Sequence, residues 1–246
     1  MPVVLLHGVP ETTVVWESLR SRLRRRDVVA LSLPGFGGAR PDGFGATKEE
    51  YVDWLVAELE ALRDRGPIDL VGHDWGGGFT VRLVSTRPDL VRSWISDAAG
   101  IGDSSFEWHE YAKIWQTPGA GEEYWKGDLA RSVEERAGVY QYFGASHDDA
   151  IALAAALDQT MADCILALYR SAVDVAKEWA PDFTSVAVPG LVVVPKEDTF
   201  LSADSAKAAA ASAGASVAEM PGLGHWWILQ DPAAAAEVLE DFWASC

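Results

Sequence analysis

The sequence predicts an α/β fold in which helices cover a mostly parallel sheet of about six strands and one helical segment interrupts the pattern. Short β-branched runs alternate with amphipathic helical patterns, which is typical of parallel sheets with helices on both faces. The stretch 68–85 joins a buried apolar run to a helix through a glycine-rich turn. By contrast, residues 101–183 contain no clear strand and many aromatic residues, which indicates a helical lid.

Each element of the core has its own pattern. Short runs rich in Val, Ile and Leu predict strands at 2–6, 28–31, 68–71, 94–96, 191–194 and 216–218. Helical periodicity predicts helices at 14–23, 48–63, 77–87, 202–212 and 232–242. Two of these helices also have start signals: Thr47 has Glu50 at capping-box spacing, and Asp231 precedes Pro232 at a first helical position.

Composition indicates one acidic domain. The chain of 246 residues suits a single α/β domain, and 49% hydrophobic residues are enough for its core. A formal charge of −17 disfavours nucleic acids and anionic membranes as partners. Cys164 and Cys246 lack metal-ligand spacing, and no metal or cofactor is expected. No apolar run reaches roughly 18 residues and no basic region precedes residues 1–6, so the sequence predicts a cytoplasmic protein.

The turn at 72–78 carries an aspartate, Asp74, at its centre. In the G-x-S-x-G nucleophile elbow, a sharp bend between strand and helix lifts the serine above the sheet. Here Gly72 and Gly76 flank Asp74 at the serine position. The alternative is that Asp74 only caps the following helix. The glycines and the preceding strand favour a carboxylate nucleophile, which the helix dipole would keep ionised.

A second turn, His7-Gly8-Val9-Pro10-Glu11, follows the first predicted strand. Ligands of open parallel sheets bind beyond the carboxyl ends of the strands, so this turn and the elbow should face one site. The backbone N–H groups of Val9 and Trp75 are therefore predicted to form an oxyanion hole. His7 itself is interpreted as a structural histidine.

His225, in a glycine-flanked loop late in the chain, is the predicted general base. A carboxylate nucleophile needs no deprotonation, so His225 would activate water for a second step. Asp198 is the first choice for the carboxylate that orients this histidine, followed by Asp97 and then Glu197. Three further histidines are interpreted as structural or surface residues: His73, His109 and His147.

These motifs, in this order and over nearly the whole chain, resemble the α/β-hydrolase superfamily, specifically its branch of epoxide hydrolases and haloalkane dehalogenases. The soluble epoxide hydrolases are the members that the chain resembles most. The resemblance implies a core formed by residues 1–100 and 184–246, with a helical cap at 101–183. It also implies a catalytic triad of Asp74, His225 and Asp198.

Two lid tyrosines point to the epoxide hydrolases within this branch. Tyr111, ahead of the sequence 115–119, resembles the first lid tyrosine of the soluble enzymes, and Tyr169 resembles the second. The resemblance implies that Asp74 attacks an epoxide carbon while both phenols protonate the ring oxygen. Water activated by His225 would then release the diol from the covalent ester.

The pocket wall is expected to be apolar and aromatic, which suits a small lipophilic substrate. The lid contains many aromatic residues, and most of them should be ordinary packing. Three tryptophans are predicted to bind the substrate: Trp108, Trp115 and Trp226.

Other activities remain alternatives. Haloalkane dehalogenases often have an asparagine where this chain has Val9, although the Trp75 side chain is a donor that suits a halide. Fluoroacetate dehalogenases share a tyrosine in a similar Tyr-Arg motif. A non-catalytic receptor for a small ligand would keep the same fold and pocket. A serine esterase is disfavoured by Asp74.

The sequence also departs from the family pattern. The chain opens at a strand that resembles the third strand of the family, so the predicted sheet lacks the first two. The strand at 28–31 then forms an edge, which we expect a loop or the second copy of a homodimer to cover. Lys196 stands near the expected triad acid, where a small residue is common.

Overall fold

One parallel sheet organises the chain, and a computed structural model describes it over residues 1–246. Its six strands are β1 (Val3–Leu6), β2 (Val28–Leu31), β3 (Asp69–Gly72), β4 (Ser93–Ser96), β5 (Gly190–Pro195) and β6 (Ser216–Met220). They are hydrogen-bonded in the order β2-β1-β3-β4-β5-β6, and all neighbours run parallel. The predicted fold class and number of strands are therefore confirmed.

Twelve α-helices connect or cover the strands. They are α1 (Glu17–Arg22), α2 (Lys48–Leu62), α3 (Trp75–Thr86), α4 (Glu110–Gln116), α5 (Ala120–Leu129), α6 (Val133–Tyr142), α7 (His147–Ala156), α8 (Gln159–Ser171), α9 (Val175–Trp179), α10 (Ala203–Ala213), α11 (Trp227–Gln230) and α12 (Pro232–Ser245). The six helices α4 to α9 follow one another between β4 and β5, with no strand among them.

Local sequence explains where several helices begin. The Thr47 hydroxyl accepts the Glu50 backbone N–H and the Glu50 carboxylate accepts the Thr47 N–H, so the predicted capping box starts α2. The Asp231 side chain accepts the N–H of Ala234 at the start of α12. The single helix predicted at 14–23 is wrong in part, because Thr13–Trp16 forms a 3-10 turn before α1.

Both faces of the sheet are buried. Val4, Leu6 and Leu70 belong to the core on one face, whereas Val3 and Leu5 belong to the core on the other. This division follows from the two-residue period of a strand, and burial on both faces explains why the strands are almost continuously apolar.

The predicted edge position of β2 is confirmed. Val28, Val29 and Ala30 are half-buried in the single chain, and only Leu31 of this strand is fully buried. Pairing of this edge with a second copy stays a prediction.

Among the helices of this protein, none alone is both long and apolar enough for a membrane crossing; α7 and α8 meet those criteria only as a pair bent by 85°.

Candidate active site

Asp74 occupies a strained turn between β3 and α3. Its φ is 49° and its ψ is −121°, a conformation that costs a non-glycine residue about 1–3 kcal/mol and is found mainly at functional sites. Its side chain makes no capping hydrogen bond to α3. The turn packs so closely on β1 that a Cβ atom at Gly76 would collide with the carbonyl oxygen of Leu6. Glycine at this position is therefore required by the elbow itself.

The Asp74 carboxylate lies against the turn that follows β1. Its Oδ1 accepts the backbone N–H of Val9 at 2.8 Å, and a Cβ at Gly8 would collide with the Asp74 side chain. Burial raises the pKa of Asp74 to about 6, while the charge of His225 and the backbone N–H of Trp75 act to lower it. Both amides of the predicted oxyanion hole thus lie beside this carboxylate.

His225 joins Asp74 to a second carboxylate. Its Nε2 lies 3.8 Å from Oδ2 of Asp74, and its Nδ1 donates to Oδ2 of Asp198 at 2.9 Å. Burial acts to lower the pKa of His225, but the charge and hydrogen bond of Asp198 outweigh it, so the net shift is upward. The other oxygen of Asp198 accepts the backbone N–H of Phe200 at 2.7 Å and that of Leu201 at 3.3 Å.

Asp198 is therefore the carboxylate that contacts His225, and the two other acids considered are not. Glu197 is exposed, and Asp97 contacts a different histidine, His73. Lys196 does not disturb the pair, because its amine lies 3.4 Å from Glu219 on the neighbouring strand.

A second buried chain of charges lies behind Asp74. His73 Nε2 lies 3.1 Å from Oε1 of Glu11, and its Nδ1 lies 2.5 Å from Oδ2 of Asp97. Burial acts to lower the pKa of His73, but the two carboxylates outweigh it and hold this pKa well above its usual value. The pKa of Glu11 is lowered to about 2 because His73 outweighs the opposite effect of burial. His73 is thus a structural cation in this network.

Further hydrogen bonds connect this network of Glu11, His73 and Asp97 to neighbouring loops of the site. The indole N–H of Trp227 donates to Asp97 at 2.7 Å, and that of Trp226 donates to Glu11. Glu11 also accepts the backbone N–H of Gly8 at 3.0 Å. The sequence did not predict a role for Glu11, although this residue lies in the turn that follows β1.

Glu11, His73 and His225 also present metal-ligand atoms within 4.8 Å of one another. The His73 ring forms a hydrogen bond with Glu11. The ring of His225 forms its own hydrogen bond with Asp198. The arrangement therefore serves as a hydrogen-bonded network.

His7 is structural, as the sequence predicts. Its Nδ1–H donates to the carbonyl oxygen of Gly8 at 2.8 Å, and its Nε2 accepts the N–H of Leu33 at 3.1 Å. Burial lowers the pKa of His7 to about 4, so its ring is neutral.

A cavity of about 70 Å³ lies above Asp74 and His225. One water needs roughly 10–15 Å³ of such space, so the cavity suits a small molecule. Its walls are mainly apolar and aromatic and come from helices α4, α5, α6 and α8 and from the loops after β1, β5 and β6. Four residues singled out from the sequence line it: Tyr111, Trp115, Tyr169 and Trp226.

Trp108 is a correction to the predicted pocket wall. It does not line this cavity, because its ring packs against those of Trp75 and Tyr169 at 5.6 and 5.3 Å. Its indole N–H donates to the carbonyl oxygen of Ala172 at 3.0 Å. Trp108 therefore supports the wall from behind.

Tyr169 is buried, and burial together with the charge of Asp74 raises its pKa far above the usual value. The phenol is consequently protonated at neutral pH and can donate a proton. Tyr111 is half-buried in the same cavity, and Tyr124 and Tyr140 line it as well. The Tyr140 hydroxyl is engaged, since it donates to the carbonyl oxygen of Pro10 at 3.2 Å.

His109 lines the cavity. The sequence around it gave no indication of this position. Its Nδ1 accepts the backbone N–H of Ala112 and caps α4. Burial lowers the pKa of His109 to about 4, so this ring is neutral.

Comparisons with known proteins agree with this geometry. The model of the Alpha/beta hydrolase family matches residues 3–238. The chain is 33% identical over 92 residues to an (E)-2-((N-methylformamido)methylene)succinate hydrolase of Acinetobacter baylyi, covering 37% of this chain and 35% of that protein. It is 36% identical over 95 residues to a haloalkane dehalogenase of Psychrobacter cryohalolentis, covering 36% and 30%. These matches thus span about a third of each relative. Epoxide hydrolases are also among the relatives.

Solved structures resemble the whole chain. An epoxide hydrolase of Bacillus megaterium superposes with a TM-score of 0.81 at 17% identity, covering 99% of this chain and 93% of that one. At this identity the likeness concerns the fold. Together with the family match over residues 3–238, it leads to one conclusion: the chain belongs to the α/β-hydrolase family.

Proposed function

We propose that this protein is an epoxide hydrolase that opens a small epoxide to a vicinal diol through a covalent ester on Asp74. The observation that carries the proposal is the position of this carboxylate. One oxygen accepts the Val9 amide at 2.8 Å, and the other faces His225 Nε2 at 3.8 Å. A serine hydrolase would need a hydroxyl at this position.

In the first step, Oδ2 of Asp74 attacks a carbon of the three-membered ring. The carbon–oxygen bond breaks, and the ring oxygen takes a proton from a phenol, either Tyr169 or Tyr111. The product is a hydroxyalkyl ester of Asp74. A phenol is needed because an alkoxide is a poor leaving group, and the raised pKa of Tyr169 means that its hydroxyl is protonated before the reaction.

In the second step, water attacks the ester carbonyl carbon while His225 accepts a proton from it. Asp198 supports the charge that forms on the imidazole. The amides of Val9 and Trp75 stabilise the tetrahedral oxyanion. Collapse of this intermediate releases the diol and restores Asp74, and the proton on His225 returns through solvent to the phenolate. The net reaction adds one water to one epoxide.

The cavity beside Asp74 supports a small substrate whose reacting end is lipophilic. Trp115, Trp226 and Phe143 line it with aromatic surface, and burial of apolar surface would drive binding.

A dehalogenase is the second candidate, and one observation favours it. The buried indole N–H of Trp75 faces the phenol of Tyr169, whose pKa it acts to lower, and the two rings meet edge-on at 5.5 Å. An indole N–H released towards the cavity would suit a departing halide. The same ester on Asp74 would form.

One experiment separates these activities. The His225→Gln variant is incubated with small epoxides and haloalkanes, and the intact protein is weighed; Asp74→Asn/His225→Gln is the control that removes the nucleophile. An epoxide should add its full mass, whereas a haloalkane would add its mass less hydrogen halide. Labelling only by haloalkanes would replace the proposal with a dehalogenase, and labelling by neither would contradict both.

A further inference from the structure

One charged side chain of the cavity makes no direct ion pair. Arg136 lies on α6 and lines the same cavity as Asp74 and His225, although only 8% of its surface is exposed. Its Nε is buried without a hydrogen-bond partner, and its guanidinium takes part in no ion pair within 4.0 Å. Burying an unpaired cation is costly, so such a group is seldom kept for stability.

The acid that faces Arg136 is already engaged elsewhere. Asp128 also lines the cavity, but its carboxylate pairs with Arg131 at 3.2 Å. Burial nonetheless raises the pKa of Asp128, which shows that this pairing does not fully compensate its desolvation. Arg136 thus retains a guanidinium that no protein carboxylate holds directly.

Two tryptophans, Trp115 and Trp125, also belong to the cavity wall. The indole Nε1 atoms of Trp115 and Trp125 are buried and unpartnered, and the two rings stack at 5.2 Å. Trp125 precedes Asp128 by three residues on α5, so their side chains share one face of that helix. Both nitrogens are inaccessible from the cavity, so these indoles supply aromatic wall and leave Arg136 as the positively charged donor among the α5 and α6 residues that line it.

The helix geometry relates Arg136 to the reacting centre. Tyr140 follows Arg136 by four residues on α6, about 6 Å along the helix, and its hydroxyl reaches the carbonyl oxygen of Pro10. The neighbouring Val9 amide holds Asp74. A small molecule in the cavity can therefore present one end to Asp74 and the other to Arg136.

We propose that the substrate carries a carboxylate at the end remote from the reacting carbon and that Arg136 binds this carboxylate. A guanidinium offers two parallel N–H donors that match the two carboxylate oxygens. The reacting end of the substrate, but not carboxylate binding itself, rests on the proposed epoxide chemistry.

Binding of an unreactive probe tests this assignment. Butanoate and its neutral counterpart butanamide are titrated into the wild-type protein, Arg136→Met and Arg136→Lys by calorimetry. We expect wild type to prefer butanoate, and Arg136→Met to bind it about tenfold to a hundredfold more weakly while its affinity for butanamide is unchanged. Arg136→Lys should lie between them. The control, Lys126→Met, removes a lid charge that is 78% exposed and should leave both affinities unchanged.

Equal butanoate affinity in wild type and Arg136→Met, or equal affinity of wild type for acid and amide, would overturn the proposal. Arg136→Met should fold, because it removes an unpaired buried charge, and circular dichroism checks this. If it does not fold, the Arg136→Lys affinities decide: weaker binding of butanoate with unchanged binding of butanamide supports the proposal, and unchanged binding of both probes overturns it.

A second measurement separates this proposal from the proposed function. In the His225→Gln background, labelling rates are compared for an epoxide that carries a terminal carboxylate and for its methyl ester, with and without Arg136→Met. Faster labelling by the acid, lost in Arg136→Met, supports both. Equal labelling by acid and ester rejects the carboxylate site and leaves the epoxide activity standing. No labelling by any epoxide, with butanoate binding as expected, rejects the activity and leaves the site.

Discussion

The carboxylate of Asp97 accepts the backbone N–H of Asp74 at 2.8 Å. Its other oxygen meets His73 and the indole of Trp227, so one buried side chain links Asp74 to a charged network. The elbow conformation at Asp74 carries a backbone cost of about 1–3 kcal/mol. The hydrogen bond that the Asp74 N–H donates to Asp97 offsets part of that cost and helps to fix the backbone that orients the Asp74 side chain.

Loss of the cation in this network should destabilise the fold. In His73→Gln, Glu11 and Asp97 would remain buried without a positive partner, and we expect unfolding free energy to fall by about 3–5 kcal/mol. Urea unfolding at pH 7 measures it. His147→Gln, on the exposed start of α7, is the matched control, and Glu11→Gln/His73→Gln should recover part of the loss. A His73→Gln protein as stable as the control would show that the network has no net stabilising role.

The two steps of the reaction should depend differently on Asp198. Asp198→Asn removes the charge that supports His225 and should slow hydrolysis of the ester about 100-fold to 10,000-fold, with little effect on its formation. The ester should therefore accumulate and be visible by intact mass. Glu197→Gln, the neighbouring exposed acid, should hydrolyse the ester at the wild-type rate. Equal losses in both variants would exclude a specific role for Asp198.

The two steps should also have separate pH limits. Asp74 attacks only when ionised, and burial raises its pKa to about 6, so ester formation should decline as the pH falls through about 6. His225 accepts a proton only when neutral, and its pKa is raised above the usual 6.5, mainly by Asp198 against the effect of burial. As the pH falls, the rate of ester hydrolysis should therefore decline first, at a higher pH than the rate of ester formation. Single-turnover tryptophan fluorescence measures the pH dependence of ester formation, and steady-state diol formation measures that of hydrolysis. If both rates declined together near pH 4, the predicted order would be contradicted.

The lid phenols should matter for ring opening alone. Tyr169→Phe or Tyr111→Phe should slow formation of the ester by roughly 100-fold or more, since general acid catalysis typically contributes at least that much. Hydrolysis of ester already formed should change little. Tyr142→Phe is the control, because its side chain is 82% exposed. If haloalkanes label Tyr169→Phe at the wild-type rate while epoxides do not, the phenol acts on the ring oxygen.

The fold follows from the sequence because its signals are local. The β-branched runs, the capping box at Thr47 and the glycines around Asp74 each act over a few residues, and the structure has the corresponding elements. Errors occur where local signals compete: Val14 and Val15 are β-branched, which disfavours a helix, and the chain makes a 3-10 turn there before α1.

The site was less predictable because its contacts join distant loops. Asp97 and Asp198 both follow strands, so sequence alone could rank them but not assign them to His73 and His225. Trp108 was predicted to line the pocket and instead packs behind Trp75. Arg136 gave no signal at all, since an arginine in an acidic helix usually lies at the surface.

The network behind Asp74 spans almost the entire polypeptide: Glu11 and Trp226 are 215 positions apart, and Asp97 and Trp227 are 130 apart. Contacts of such sequence separation form slowly, because the chain must first close long loops. During synthesis, Asp74 leaves the ribosome long before Trp226 and His225 do. The growing polypeptide therefore carries an ordinary aspartate, and under the proposed mechanism Asp74 can form and release an ester only after the last loops have docked.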